Sequence, residues 1–268
     1  MPRGFSVYED ALIQRRLWTP DLLRPAVWLD ASDISTVILS GSNVTQWNDK
    51  SGNERNMTVG GNAPAIANNS LNGLNTILFD NRSATQTLVN SYSYSGNDIT
   101  LFSLARSSRL GGRTNFPRLW SMNATGQTDF GNTAGLLMLY GVGSPNNASM
   151  FRNNAVMAQS PQNTNDQWAL HIGTKSGGSA TFSSNGETRA VGSTSNTPFG
   201  FNFIRIGNDT SASDSGLFGN VAETGILPFA VTLKEEQQLA GYILWRWGLT
   251  GLLPAAHPFR NRPPLIGD

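Results

Sequence analysis

The 268 residues carry 19 Lys and Arg against 18 Asp and Glu, a formal net charge of +1 that offers no basic field for nucleic acid. Cysteine is absent, which excludes a disulfide framework, a thiolate nucleophile and a cysteine zinc site. Only 14% of residues are charged, while Gly, Asn, Ser and Thr fill much of the remainder, a composition suited to many turns between short strands.

Residues 1–24 read as an amino-terminal arm. They lack the apolar run of a secretory signal, and no stretch approaches the roughly 18 apolar residues of a membrane helix, so the chain is expected to be made and used in solution. Phe5, Leu12, Ile13, Leu17 and Trp18 are enough apolar surface to bury but too little for a core of their own. Such a segment folds on something else: it docks on a partner through those five side chains, or it staples back onto its own domain.

The globular domain is expected over residues 25–257, with a Pro-rich tail at 258–268. From Val27 short strand-like runs alternate with Asp, Ser, Gly and Asn turns, and Trp28 and Trp47 are expected to anchor the core. Further strands are predicted at 76–79, 99–105, 118–122, 136–140, 168–173, 180–183, 203–206 and 221–227, a spacing that favours an antiparallel sandwich over a parallel α/β sheet. Asn185-Gly186 is a tight-hairpin signal, with residues 187–191 as the returning strand. Surface loops are expected at 141–147, 176–179 and 208–216.

One helix stands against these strands, over residues 232–247. Thr232 with Glu235 forms a capping box, and Glu235 and Glu236 face the positive end of the helix dipole. Leu239, Ile243 and Trp247 recur every four residues as an apolar stripe. Gly248 supplies a left-handed stop, and Pro254, Pro258, Pro263 and Pro264 prevent resumption.

Candidate chemistry is sparse. Glycoside hydrolysis needs two carboxylates flanking one bond, and none of Glu9, Glu54, Glu187, Glu223, Glu235 and Glu236 has an acidic partner two to four residues away on a strand. Glu223 is expected to make a structural hydrogen bond at a sheet edge. His171, on a strand, and His257, in the Pro-flanked tail, lack a second ligand at metal spacing and are assigned to packing or surface. No nucleophile elbow, phosphate loop or zinc-protease helix appears, so no catalytic residue and no enzyme activity is expected. No cofactor is expected either. Calcium is the alternative, with oxygens from Asp30, Asp33, Asp49 and Asn53 or from Asp209 and Asp214, although such residues also make turns and no twelve-residue calcium loop exists. For glycan binding the candidates are Tyr92, Tyr94, Trp120 and Tyr140, beside Asn146 and Asn147, unless these rings fill the sandwich. Trp28, Trp47, Trp168, Trp245 and Trp247 are assigned to packing.

The motifs WLDASD, VTQWNDKSGN, ATFSSNG, IRIGND and GNVAE, with the closing LAGYILWRWGLTGLLPAAHPFRNRPP, resemble a laminin-G-like, concanavalin A-like jelly-roll domain over residues 25–264. That family is widespread in phage structural proteins and bacterial surface proteins. The resemblance implies an all-β, two-sheet antiparallel jelly-roll sandwich closed by the carboxy-terminal helix. It further implies a non-enzymatic virion structural protein, a capsid decoration or tail-associated subunit assembled in the host cytoplasm. Its partners would be other virion proteins, met through the arm in multiple copies per particle, with no nucleic acid or membrane partner. The alternative it leaves open is a carbohydrate-binding or host-adhesion module. The fold decides neither, so function must be argued from a site.

Overall fold

The structure is a computed structural model that describes residues 16–82, 85–107, 116–130, 135–142, 147–162, 164–209 and 216–268. In chain order the strands begin with β1 (Val27–Asp30), β2 (Val37–Ser40), β3 (Asn43–Trp47), β4 (Met57–Val59), β5 (Ala65–Leu71), β6 (Leu74–Asp80) and β7 (Leu88–Asn90). They continue with β8 (Tyr94–Gly96), β9 (Ile99–Ser107), β10 (Arg118–Asn123), β11 (Leu136–Val142), β12 (Asn147–Arg152) and β13 (Ala155–Gln159). The last are β14 (Trp168–Ser176), β15 (Ser179–Ser184), β16 (Ala190–Ser193), β17 (Phe199–Phe201), β18 (Phe203–Ile206) and β19 (Phe218–Leu227), followed by helix α1 (Leu233–Arg246).

Pairings between these strands are antiparallel and run in two series. One series is β16–β15–β14–β9–β19, where β19 pairs with β6 along its first half and with β1 along its second. The other runs β13–β12–β11–β10–β18–β7–β4–β3–β2. This is the expected antiparallel sandwich. Strand β9 is apolar on both faces because both are covered: Leu101 and Ala105 join the inner core with Trp47, Phe79, Trp120 and Phe182, while Phe102 and Leu104 join Trp28, Leu170, Ile172 and α1 in an outer core. The result is three layers, sheet on sheet on helix.

The helix begins as the capping box requires: Thr232 Oγ1 accepts from Glu235 N at 3.2 Å, and the Glu235 carboxylate accepts from Thr232 N at 2.8 Å. Leu239, Ile243 and Trp247 are fully buried. Gly248 ends the helix with φ +67°, and the Asn72 side chain from the β5–β6 turn donates to the Trp247 carbonyl at 2.7 Å. Trp245, assigned to packing, is instead 36% exposed at the edge of the helix, held by its Nε1–H on the Phe259 carbonyl at 2.8 Å.

The division of the chain at residue 24 needs correcting. Trp18 is buried against Tyr242 of α1, ring centroids 6.2 Å apart, and its amide donates to the Pro264 carbonyl at 3.0 Å. Ile266 N in turn donates to the Arg16 carbonyl at 2.9 Å, so residues 16–24 and the tail clamp each other across the helix. Of the five proposed docking side chains, Trp18 is engaged by its own domain, Leu17 is exposed, and Phe5, Leu12 and Ile13 lie outside the described residues. The β12–β13 hairpin, not among the strands predicted above, turns on Asn153 and Asn154, both left-handed at φ 50° and 60°.

Candidate ligand-binding cleft

The aromatic residues singled out for glycan binding do not form a platform among the described side chains. Trp120 has no exposed surface and its indole points to the Phe102 carbonyl at 3.4 Å, so it is a core residue. Tyr92 is buried edge-on against Phe201, with the Arg55 guanidinium 4.1 Å over its ring. Tyr94 is half-buried, stacks on Phe201 at 5.5 Å and donates its hydroxyl to the Asp98 carbonyl. Tyr140 lies in β11, but its side chain, like Asn146 and Asp214, lies outside the described residues. Asn147 donates to the Ser160 carbonyl at 2.7 Å. Of these rings, Trp120 and Tyr92 are claimed by the core.

The acidic candidates are engaged within the chain. Asp30 and Asp33 each hold Lys50 at 3.1 Å, Asp49 accepts from the backbone of Trp28 and Ser51, and Asn53 donates to the Pro25 carbonyl. Asp209 lies 3.8 Å from Arg118, which also pairs with Asp129 at 3.2 Å. Among the described residues no three His, Asp or Glu converge as a metal site.

Glu223 is not at a sheet edge. It sits on β19 between β1 and β9, fully buried, with one oxygen accepting from Trp28 Nε1 at 2.8 Å and the other from Trp247 Nε1 at 2.7 Å. Burial, with Asp30 adding to it, raises its carboxyl to about 8 against the opposing pull of the two indoles and Lys50. No substrate reaches it. His171 is equally closed: it contacts Ser184 Oγ at 2.9 Å, and burial depresses its imidazole to about 3, so the contact is a structural one and not a nucleophile with its base.

An open cleft lies where the sequence reading placed only a tight hairpin. Asn185 and Gly186 do form the turn, with φ 55° and 74°. Asn185 is then pinned to β14, its amide donating to the Leu170 carbonyl at 2.7 Å and its side-chain oxygen accepting from Leu170 N at 2.9 Å. Pairing of β15 with β16 consequently starts only at Phe182↔Ala190, and residues 187–189 stand off the sheet. They face the first turn of α1 and the tail, enclosing a cleft of about 670 Å³ lined by Glu187 and Arg189, by Leu233 and Glu236, and by Pro254 and His257.

Each polar group in this cleft has a defined state. Glu236, 3% exposed, accepts from Ser183 Oγ at 2.7 Å on one oxygen and from Arg189 Nε at 2.7 Å on the other; burial raises its carboxyl while Ser183 and Arg189 oppose the shift. It positions Arg189, whose Nη2 also donates to the Val231 carbonyl at 3.3 Å, leaving Nη1 without a hydrogen bond among the described residues. Glu187 accepts from Gln162 on one oxygen and has none on the other, and burial raises its carboxyl as well. His257 is 7% exposed, and its Nδ1 accepts from Phe259 N at 3.2 Å, which fixes the neutral tautomer with the proton on Nε2. That Nε2 is buried and has no partner. An orphaned buried donor costs about 1–3 kcal/mol, which a ligand acceptor would recover.

The cleft therefore offers donors from His257 and Arg189 and an acceptor from Glu187 beside apolar Pro254 and Leu233, the pattern of few convergent polar groups in an apolar recess. No single local signal marks it: Glu187 and His257 are 70 residues apart in the chain.

No protein-family model matches the sequence, and no curated protein does. The fold is similar to an arabinofuranosidase solved with arabinofuranosyl-alpha-1,2-xylobiose, at TM-score 0.56 and 13% identity, covering 74% of this chain and 50% of that one. It is similar to domain 4 of AbnA, an extracellular arabinanase from Geobacillus stearothermophilus, solved with arabinotriose, at TM-score 0.53 and 15% identity over 81% of this chain and 98% of that one. The binding domain of Paraclostridial Mosquitocidal Protein 1 is similar at TM-score 0.56 and 14% identity, over 83% of this chain and 53% of that one. The chain thus spans about half the length of the arabinofuranosidase and of the mosquitocidal protein chain. At these identities the likeness is one of fold. It bears out the sandwich.

Proposed function

We propose that this chain is a non-catalytic module that binds neutral carbohydrate in the cleft between the β15–β16 hairpin, the start of α1 and the carboxy-terminal tail. The observation that carries the reading is His257, which lines a 670 Å³ cleft and whose Nε2 has no hydrogen-bond partner, the volume being within the roughly 300–1,000 Å³ of small-molecule sites. A sugar hydroxyl is both donor and acceptor, so it can take the His257 and Arg189 protons and give its own to Glu187. The similar folds solved with arabinotriose and with an arabinofuranosyl xylobiose support the same class of ligand. Binding without turnover is favoured because Glu236 has both oxygens engaged, leaving Glu187 as the one lining carboxylate with an oxygen to offer, whereas hydrolysis needs two. The virion placement expected from the sequence resemblance is carried by no feature of the cleft, and the proposal stands without it.

A glycan array followed by calorimetry tests this. Wild-type protein should bind at least one neutral oligosaccharide without releasing reducing ends, and Glu187→Gln and His257→Ala should each weaken that binding about tenfold or more while leaving the circular dichroism unchanged. Silence on the array, or affinity indifferent to both substitutions, overturns the proposal.

A further inference from the structure

Beside the cleft, the outer face of the β14–β15 hairpin changes character. Where α1 covers β14 the outward side chains are Leu170 and Ile172; one residue pair further on, past the helix start, they become Thr174 and Ser176. The register sets Thr181 opposite Thr174 and Ser179 opposite Ser176, so four hydroxyl residues share one face. They line a second depression of about 220 Å³, together with Thr232 and Arg189. Arg189 lines the larger cleft as well, so the two recesses share that residue. A strand face that is simply solvated would leave its hydroxyls in water. Here Thr181 Oγ1 is buried and has no hydrogen-bond partner. A volume of 220 Å³ is below that of a whole small-molecule site, so this recess extends one rather than forming its own.

We infer that the ligand is a linear oligosaccharide, bound across Arg189 with one end in the larger cleft and at least one further sugar unit over the Ser176, Ser179 and Thr181 hydroxyls, the Thr174 hydroxyl being engaged by Thr100 at 3.0 Å. The inference rests on the carbohydrate reading and adds direction and length to it. The hydroxyls carry no charge and the one cation beside them, Arg189, is already paired with Glu236, so the recess selects a neutral, hydroxylated unit, to which each hydroxyl can donate and from which it can accept. Arg189, fixed by Glu236 and the Val231 carbonyl, lines both recesses, and its remaining Nη1 would hold the link between units.

Calorimetry with arabino-, xylo-, manno- and malto-oligosaccharides of one to five residues tests it. For the series that binds, affinity should rise at least tenfold as units are added beyond those that fill the larger cleft. In Thr181→Val, and independently in Ser176→Ala, most of that gain should vanish while affinity for the shortest binding member stays within twofold. Glu187→Gln should instead lower affinity at every length. Affinity that does not grow with length, or growth that survives both hydroxyl substitutions, overturns the extended site alone; absence of binding by every series removes the carbohydrate reading beneath it.

Discussion

A carboxyl clamped between two indoles gives the protein a distinct response to pH. Native Glu223 keeps its proton to about pH 8, whereas an unfolded glutamate releases it near 4.5, so folding takes up a proton between those values and stability falls as pH rises through them. His171 acts in the opposite sense: forced neutral, near 3 against 6.5 when unfolded, it lowers stability as pH falls below about 6.5. From pH 6.5 to 8 the Glu223 effect stands clear of the histidine one. Glu223→Gln keeps an acceptor for one of Trp28 and Trp247 but sets an amide N–H against the other, at about 1–3 kcal/mol. Denaturation of the wild type should therefore become easier between pH 6.5 and 8, and the variant should be weaker overall yet flat across that interval. A variant retaining the wild-type slope would place the titrating group elsewhere.

The elements differ in how far their signals are local. Helix α1 was legible to within a residue because the Thr232–Glu235 capping box, the Leu239–Ile243–Trp247 spacing and the Gly248 stop all lie within one short stretch. The β15–β16 hairpin was half legible: Asn185-Gly186 announced the turn, but the standoff of Glu187 and Arg189 depends on Asn185 bonding to Leu170 of β14, fifteen residues away in the chain. That distinction is testable. Asn185→Ala removes the side-chain acceptor from Leu170 N and should release the standoff loop, costing about 1–3 kcal/mol and weakening ligand binding although residue 185 makes no part of the cleft lining. Thr232→Ala, which removes only a local cap, should cost about 0.5–2 kcal/mol. Trp120 and Tyr92 carry no local sign of burial: every residue of β10 is buried, so strand alternation does not separate inward from outward rings there, and Tyr92 lies between β7 and β8, outside any strand.

At the scale of the whole molecule the two ends of the described chain close the structure over the helix. Trp18 and Leu23 from one end and Phe259 from the other are buried, and Gly241 on α1 is needed there because a Cβ would stand 2.7 Å from Phe259 Cβ. A globular domain confined to residues 25–257, as expected from the sequence, would fold without this segment. Removing residues 1–25 instead strips Trp18 from Tyr242 and takes the Arg16 and Trp18 backbone partners from Ile266 and Pro264. Loss of one large buried ring costs about 3–5 kcal/mol, which for a domain of this size lowers the melting temperature on the order of 10 °C. The consequence extends to the cleft, because the tail that loses its anchor is the one that carries Pro254 and His257 and, through Phe259 N, fixes the His257 tautomer. Thermal melts and calorimetry on the truncated chain and on Trp18→Ala should therefore show a lower melting temperature together with weaker ligand binding, the single substitution causing the smaller share of both. A truncated chain that melts like the full one would mean that residues 16–24 contribute nothing to the outer core and are free for another surface.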